Sequence, residues 1–302
     1  MNQQGKLIIT GASGFTGRHA CAHFLKSGFD ITAVSRKKMN IEGRIHAECC
    51  DLTNGNDVYN LIKRTKPKYL LHLAGQSHVG VSWSEPVSTL EANTMSTAYL
   101  IDAIRKESPD CKIVIVGSAL QIDPSSISSI PHPYSLSKTL QVLIAQSWAV
   151  LYNMNIIIAK PSNLIGPGLS NGVCSIFAKK IAEMEKKEME KVLEVDNPNV
   201  QRDFLDVRDA VRAYDLLLTR GQPGETYDVA SGNNRSLEEI IEGYRSVTTS
   251  DIKVNSQRND LIEDKAAIDP IKLLNLGWKP SIPLKLSLMD ILTFHRELME
   301  EC

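Results

Sequence analysis

Short apolar runs alternate with longer amphipathic stretches through the first half of the chain. Lys6–Thr10, Asp30–Ser35, Tyr69–Ala74, Lys112–Gly117 and Ile156–Lys160 are rich in Ile, Val and Leu, and Arg44–Cys50, with Ile45, Ala47 and two cysteines, is grouped with them. Runs of that kind read as strands buried on both faces. Between them lie stretches of helical length, among them Gly14–Ser27, Asp57–Lys66, Val87–Glu107 and Tyr134–Tyr152. The alternation predicts an α/β fold, a doubly wound parallel sheet with helices on both faces. After Pro161 it loosens and turn signals multiply, at Gly166-Pro167-Gly168, Asn197-Pro198-Asn199, Gly221–Gly224 and Gly232-Asn233-Asn234. A smaller C-terminal α/β domain is expected there, at the carboxyl edge of the sheet where ligands of such folds bind. The expected boundaries are 1–160 for the first domain, with 206–230 returning to it, and 161–205 with 231–302 for the second.

Composition narrows the field. The 302 residues carry 34 Lys+Arg against 35 Asp+Glu, a net charge of −1, which offers no electrostatic reason to expect a nucleic-acid partner. At 42 % hydrophobic and 23 % charged residues, the chain has the makings of a globular core rather than of disorder. No apolar run approaches the roughly 20 residues of a membrane span, so no membrane partner is expected. Six scattered cysteines, two of them adjacent at Cys49-Cys50, form neither a disulfide framework nor a zinc spacing, and no metal is expected. Met1–Lys6 runs straight into a strand without an apolar leader, which makes a cytoplasmic location the expectation. The charge-dense run Glu183–Lys191 reads as a solvated helix face.

The first candidate chemistry follows the first strand. Gly11-Ala12-Ser13-Gly14-Phe15-Thr16-Gly17 leads into a helix. Glycines there let the backbone turn tightly and approach a pyrophosphate, and the helix N-terminus presents N–H groups and partial positive charge to it. The end of the second strand then distinguishes NAD from NADP, since an acid would bind the ribose 2′-OH and a base can pair with a 2′-phosphate. Val34-Ser35-Arg36-Lys37-Lys38 contains no acid. The cofactor expected is therefore NADP(H) rather than NAD(H), with Arg36 as phosphate clamp and Ser35 as a second donor. A plain basic surface loop is the other reading of the same residues.

The second candidate is Tyr134-Ser135-Leu136-Ser137-Lys138, which places a phenol and an ammonium on one helix face. A neighbouring cation favours the ionised phenol and moves its pKa down from about 10. Ser118, just past the strand Val114-Ile115-Val116, supplies a hydroxyl able to donate to a substrate oxygen. Ser118, Tyr134 and Lys138 are thus the candidate catalytic residues, with Tyr134 and Lys138 also at the cofactor.

The Gly-x-x-Gly-x-x-Gly loop with Ser118, Tyr134 and Lys138 resembles the extended short-chain dehydrogenase/reductases, whose first domain is of Rossmann type. That resemblance implies Asp51 and Leu52 beside the adenine, Leu73, Ala74 and Gly75 as a backbone wall, and Pro161 at the cofactor as well. Gln76-Ser77-His78-Val79 and Ser82-Trp83-Ser84-Glu85-Pro86 are similar to the substrate-side loop of nucleotide-sugar enzymes. Lys160–Gly168 resembles their Arg-Pro-Phe-Asn-His-x-Gly-Pro-Gly segment, and Gln201–Asp209 resembles their Arg-Asp-Phe-x-Asp-Val-Arg-Asp block. Gly224–Gly232 is similar to the strand and turn that follow. Together these segments resemble those of the GDP-4-keto-6-deoxy-D-mannose reductases. The resemblance implies NADPH-dependent reduction at C4 of a nucleotide-linked 4-keto-6-deoxy sugar, with Arg202 and Arg258 on the diphosphate and Ser77 and Asn163 as substrate contacts.

Departures from the pattern carry information too. Ser118 is followed by Ala119-Leu120-Gln121, so the acid that related 4,6-dehydratases place two residues on is missing. Ile122-Asp123 replaces a Tyr-Gly, Lys160 and Ser162 replace Arg and Phe, and Ser96 replaces a Gly. A 4-epimerase that retains NAD uses the same triad, and a non-catalytic NADP sensor uses the same fold. By analogy with the superfamily, the segments Val87–Glu107 and Tyr134–Tyr152 are expected to pair across a homodimer. Their apolar positions Ala98, Ile101, Ile104, Leu140, Ile144 and Trp148 either form that interface or face the chain's own sheet.

Overall fold

The computed structural model describes residues 5–39, 44–125, 127–186, 192–256 and 268–300. Strands in chain order are β1 (Lys6–Thr10), β2 (Asp30–Ser35), β3 (Ile45–Cys49), β4 (Tyr69–His72), β5 (Lys112–Val116), β6 (Ile156–Pro161), β7 (Asn163–Ile165), β8 (Val192–Val195), β9 (Gln201–Asp206), β10 (Thr226–Val229), β11 (Asn234–Ser236) and β12 (Lys253–Ser256). The chain divides into two compact units, Met1–Pro161 with Val211–Asp228, and Ser162–Ala210 with Val229–Cys302.

The first unit is built on a seven-stranded sheet of order β10-β6-β5-β4-β1-β2-β3. The pairs from β3 across to β6 are parallel. Consecutive residues such as Ile113, Val114 and Ile115, or Ile156, Ile157 and Ile158, are fully buried, which is why these strands read as unbroken apolar runs. The chain winds one way from β1 through β2 to β3, then crosses to β4 on the other side. That reversal opens a crevice at the carboxyl ends of β1 and β4.

The helices flanking the sheet have local causes. Asn54 caps Gly55–Thr65 by accepting from the Asn56 and Asp57 amides. The stretch expected as one helix over Val87–Glu107 is three pieces: Pro86–Leu90, a π-helical turn at Glu91–Met95, and Ser96–Glu107. The π turn carries Asn93 and Thr94 inward, buried beside Ser137 of the helix Pro133–Leu151. Ile101 and Ile104 are fully buried in the unit's core with Leu100, Val142 and Ile113, so those two positions of the apolar stripe face the chain's own sheet. Val87, Met95, Leu143, Val150 and Leu151 are the large apolar side chains these helices leave exposed.

The second unit pairs β7 parallel and β11 antiparallel to β9, and separately β8 parallel to β12. Its core gathers Phe177, Ile181, Leu193, Ile240, Tyr244 and Leu288, with neighbouring apolar residues. The acids of the Gln201–Asp209 block are spent inside this unit. Asp203 accepts from the Ser231 and Asn233 amides, Asp206 pairs with Arg208 and Ser287, and Asp209 accepts from the Ser281 and Ile282 amides. Of the run Glu183–Lys191, residues 183–186 close the helix Val173–Lys186, and 187–191 lie outside the described residues. Among the described residues no helix is long and apolar enough to cross a membrane.

Candidate active site

The glycine loop stands at the carboxyl end of β1, in the crevice. Gly11 has φ +66°, and a Cβ there would fall 2.7 Å from the Ala74 nitrogen. A Cβ on Gly17 would fall 2.2 Å from the Gly11 carbonyl oxygen, so the helix can leave the loop this closely only through glycine. The Gly14 amide closes the turn onto Gly11 at 2.9 Å. No side chain caps the helix Phe15–Lys26 and no acid sits in its first turn. Ser13 and Gly14 are exposed, Phe15 and Thr16 half-buried. Bare backbone, a helix N-terminus and no competing carboxylate fit a dinucleotide pyrophosphate.

At the end of β2, Arg36 is exposed, whereas Ser35 is buried and its hydroxyl donates to the Lys37 carbonyl at 2.5 Å. Of the two donors expected there, the guanidinium is the one the backbone does not occupy. Asp51 accepts from the amide and hydroxyl of Thr53, which hold its carboxyl below the usual range, and the Arg36 charge adds to this. Leu52 is buried beside it. Beyond β4, Leu73 and Ala74 are half-buried and Gly75 is exposed, with the Ala74 amide donating to the Thr10 hydroxyl at 3.2 Å. That bond draws the chain out of the sheet ladder and ends β4 at His72. Pro161, half-buried at the end of β6, accepts from the Ala119 amide at 3.0 Å and so ties the segment after Ser118 to that strand.

Ser118, Tyr134 and Lys138 are brought into one buried cluster. His132 caps the helix Pro133–Leu151 by accepting the Ser135 amide on Nδ1 at 3.0 Å, with Pro133 in the first turn. Tyr134 and Lys138 follow one turn apart. The Ser118 hydroxyl is close enough to the Tyr134 phenol to act on it, and the Lys138 ammonium donates to the Val116 carbonyl at 2.7 Å. Burial pushes the Tyr134 phenol up, and the Ser118 hydroxyl offsets this in part. The expectation that Lys138 brings the phenol down is outweighed here by burial, which acts on Lys138 itself and lowers its ammonium to about 7. The short segment after Ser118 is pinned to the same helix: the Ile122 amide donates to Thr139 and the Ser135 hydroxyl to the Leu120 carbonyl.

Sequence reasoning missed a polar layer beneath this cluster. His72, fully buried at the end of β4, bonds Thr10 through Nδ1 at 2.7 Å and Thr97 through Nε2 at 2.9 Å. Burial, and secondarily the Lys138 charge, lower its pKa to about 3, so the ring is neutral. The Asn93 side chain holds both the amide and the carbonyl of Gln76 and donates to the Ser137 hydroxyl at 2.8 Å. The signal was present in the sequence, since His72 is a polar side chain in the middle of the apolar run Leu70–Ala74.

The expected substrate contacts are distributed over both units. Ser77 is exposed in the first. In the second, Asn163 donates to the Asp203 carbonyl at 2.9 Å, and Arg202 is half-buried and donates to the Gln201 carbonyl at 2.8 Å. Arg258 lies outside the described residues.

Comparison with known proteins agrees with this geometry. The GDP-6-deoxy-D-mannose reductase of Pseudomonas aeruginosa is 29 % identical over 95 % of this chain and 96 % of its own length. The structure of RMD from the same organism, complexed with NADPH, superimposes with a TM-score of 0.84 at 26 % identity, covering 98 % of this chain and all of that one. The UDP-glucose 4-epimerase of Thermus thermophilus, complexed with NAD, shares the fold with a TM-score of 0.81 at 20 % identity, covering 96 % and 99 % of the two chains. Residues 7–230 match a single family across the glycine loop, Ser118, Tyr134 and Lys138 alike: the chain belongs to the NAD dependent epimerase/dehydratase family.

Proposed function

We propose that this protein is an NADPH-dependent reductase of the C4 ketone in a nucleotide-linked 4-keto-6-deoxy sugar of the GDP-4-keto-6-deoxy-mannose type. The observation that carries the reading is the buried Ser118–Tyr134–Lys138 cluster beside a segment, Ala119-Leu120-Gln121, without any titratable side chain. A ketone can be protonated there, but no acid stands two residues after Ser118 to work on a dehydration. The cofactor, when bound, supplies the two-electron reductant. As the C4 oxygen gains charge, the Tyr134 hydroxyl transfers its proton to it and the Ser118 hydroxyl donates a hydrogen bond to the same oxygen. Lys138 places positive charge beneath the phenol and favours the tyrosinate left behind.

Support for NADPH over NADH comes from Arg36, exposed at the end of β2, a strand end that carries no acid of its own, and from the NADPH complex of the Pseudomonas relative. Arg202 and Arg258 suit the diphosphate of the substrate, since guanidinium forks match phosphate oxygens. A homodimer accords with the exposed Val87, Leu143, Val150 and Leu151 on the helices of the first unit, and light scattering at micromolar concentration tests it. The function is tested by incubating the protein with NADPH and a panel of nucleotide 4-keto-6-deoxy sugars, following absorbance and product NMR. Stoichiometric NADPH oxidation with a reduced C4 is the expected result. Purification with bound NAD and no net cofactor consumption would instead identify an epimerase.

A further inference from the structure

The polar layer under the active site has a direction, and the direction can be derived from the hydrogen bonds. Thr97 Oγ1 donates its single proton to the Asn93 carbonyl at 2.8 Å and accepts from Gln141 Nε2 at 3.0 Å. It has no second proton for His72, so the contact at 2.9 Å requires that His72 Nε2 carries the hydrogen. At the other ring nitrogen, Nδ1 is then without a hydrogen and accepts the Thr10 hydroxyl proton at 2.7 Å, while Thr10 Oγ1 accepts the Ala74 amide. One tautomer satisfies both ends. The resulting chain runs from the Ala74 amide through Thr10, His72 and Thr97 to the Asn93 carbonyl, with every proton along it committed.

What this chain joins gives it a role. Thr10 is adjacent to Gly11 of the phosphate loop and is paired in register with His72 across β1 and β4. Ala74 is the backbone against which Gly11 packs. Asn93, at the far end, holds Gln76 through its side chain and Ser137 of the tyrosine helix between Tyr134 and Lys138. Gln141, one turn beyond Lys138, completes the link from that helix to Thr97. The wall of the cofactor crevice and the helix bearing the proton donor are therefore held by one buried relay rather than by two separate contacts.

We propose that His72, as the Nε2–H tautomer, is a positioning residue that sets the phosphate loop and the tyrosine helix against each other for the reaction. This rests on the reductase reading for its substrate, while its tautomer and its effect on cofactor affinity do not depend on any sugar. Neutrality is built in: an imidazolium would donate at both nitrogens and leave the Thr10 hydroxyl proton without an acceptor.

The test combines spectroscopy with two substitutions. Long-range ¹H–¹⁵N correlation spectra of the wild-type protein should show His72 as the neutral Nε2–H tautomer throughout pH 5.5–8.5. Thr97→Val removes the acceptor for that hydrogen at nearly constant volume, whereas Thr97→Ser retains it. Thr97→Val is expected to lower kcat by roughly 10- to 10²-fold, as small misplacements of reacting groups do, and to weaken NADPH binding several-fold. Thr97→Ser is expected to stay within about threefold of wild type in both. A simple loss of stability would lower the melting temperature of the variants without separating them in kcat at 25 °C. An Nδ1–H or imidazolium spectrum overturns the proposal, as does a Thr97→Val enzyme with wild-type kcat and NADPH affinity, or equal losses in both variants. Should Thr97→Val fail to fold, the wild-type spectrum and the Thr97→Ser kinetics still decide it. If the wild type binds NADPH but does not reduce the 4-keto sugar, the function reading fails while affinity and tautomer continue to test the relay.

Discussion

Replacing Lys138 with methionine should abolish turnover and, in the cofactor-free protein, increase stability with a definite pH dependence. The side chain is 6 % exposed, and burial lowers its pKa from 10.5 to about 7. Below pH 7 both folded and unfolded chains carry the proton, so the cost of burying the ammonium is fully present. Between pH 7 and 10.5 the unfolded chain binds the proton and the folded one does not, so wild-type stability rises with pH through that window. At about 1.4 kcal/mol per pH unit the burial cost is at most roughly 5 kcal/mol. Methionine removes it but leaves the Val116 carbonyl without its donor, which costs about 1–3 kcal/mol. The net expectation is a variant more stable than wild type by about 2–4 kcal/mol at pH 6, with the advantage vanishing or reversing by pH 10. Urea unfolding of both proteins at the two pH values, followed by circular dichroism, isolates Lys138 in the difference between them. A wild type that is the more stable at pH 6, or a difference that does not change with pH, would refute the reasoning.

Three further outcomes follow from named contacts. Tyr134→Phe keeps the ring and removes the transferable proton, so kcat should fall roughly 10²–10⁴-fold with NADPH affinity nearly unchanged by fluorescence titration. Arg36→Asp removes the exposed cation at the end of β2 and adds an acid, so NADPH binding should weaken at least tenfold while NADH binding holds or improves; equal effects on both cofactors would exclude Arg36 as the 2′-phosphate clamp. Asn54→Ala deletes the cap of Gly55–Thr65 and should lower stability by about 1 kcal/mol in chemical denaturation, without altering kcat.

Much of the first unit was legible because most of its strands are buried on both faces; β3, expected to be one of these, is instead a sheet-edge strand with His46, Ala47 and Cys49 exposed. Asp30–Ser35 and Lys6–Thr10 begin and end in the structure where their apolar composition does. Strand ends were less readable where a side chain intervenes, as at His72, after which the Ala74 amide turns to Thr10 instead of a neighbouring strand. The π turn at Glu91–Met95 escaped a reading based on helical period, because the polar Asn93 and Thr94 face inward and look like surface residues in sequence. The second unit was the least predictable part: β7 and β11 span three residues each, too few to show any alternation. In the active site, Ser118, Tyr134 and Lys138 were visible as residue types at a spacing. That Ser35 spends its hydroxyl on Lys37 was not, since a donor's orientation is set by backbone geometry that spacing does not record.

The order of the sheet also constrains how the protein is made. β10 lies beside β6, with the Gly224 amide on the Ile156 carbonyl and the Ile158 amide on the Glu225 carbonyl. Yet residues 162–210 are synthesised between the two strands and belong to the other unit. At about 5–20 residues per second, the ribosome leaves β6 as an open edge, apolar over Ile156–Ala159, for several seconds before its partner emerges. Such an edge is a template for pairing with another nascent chain. Slow translation across residues 162–210 should therefore lower soluble yield, and early release of a chain ending before Thr226 should give aggregates rather than a folded first unit.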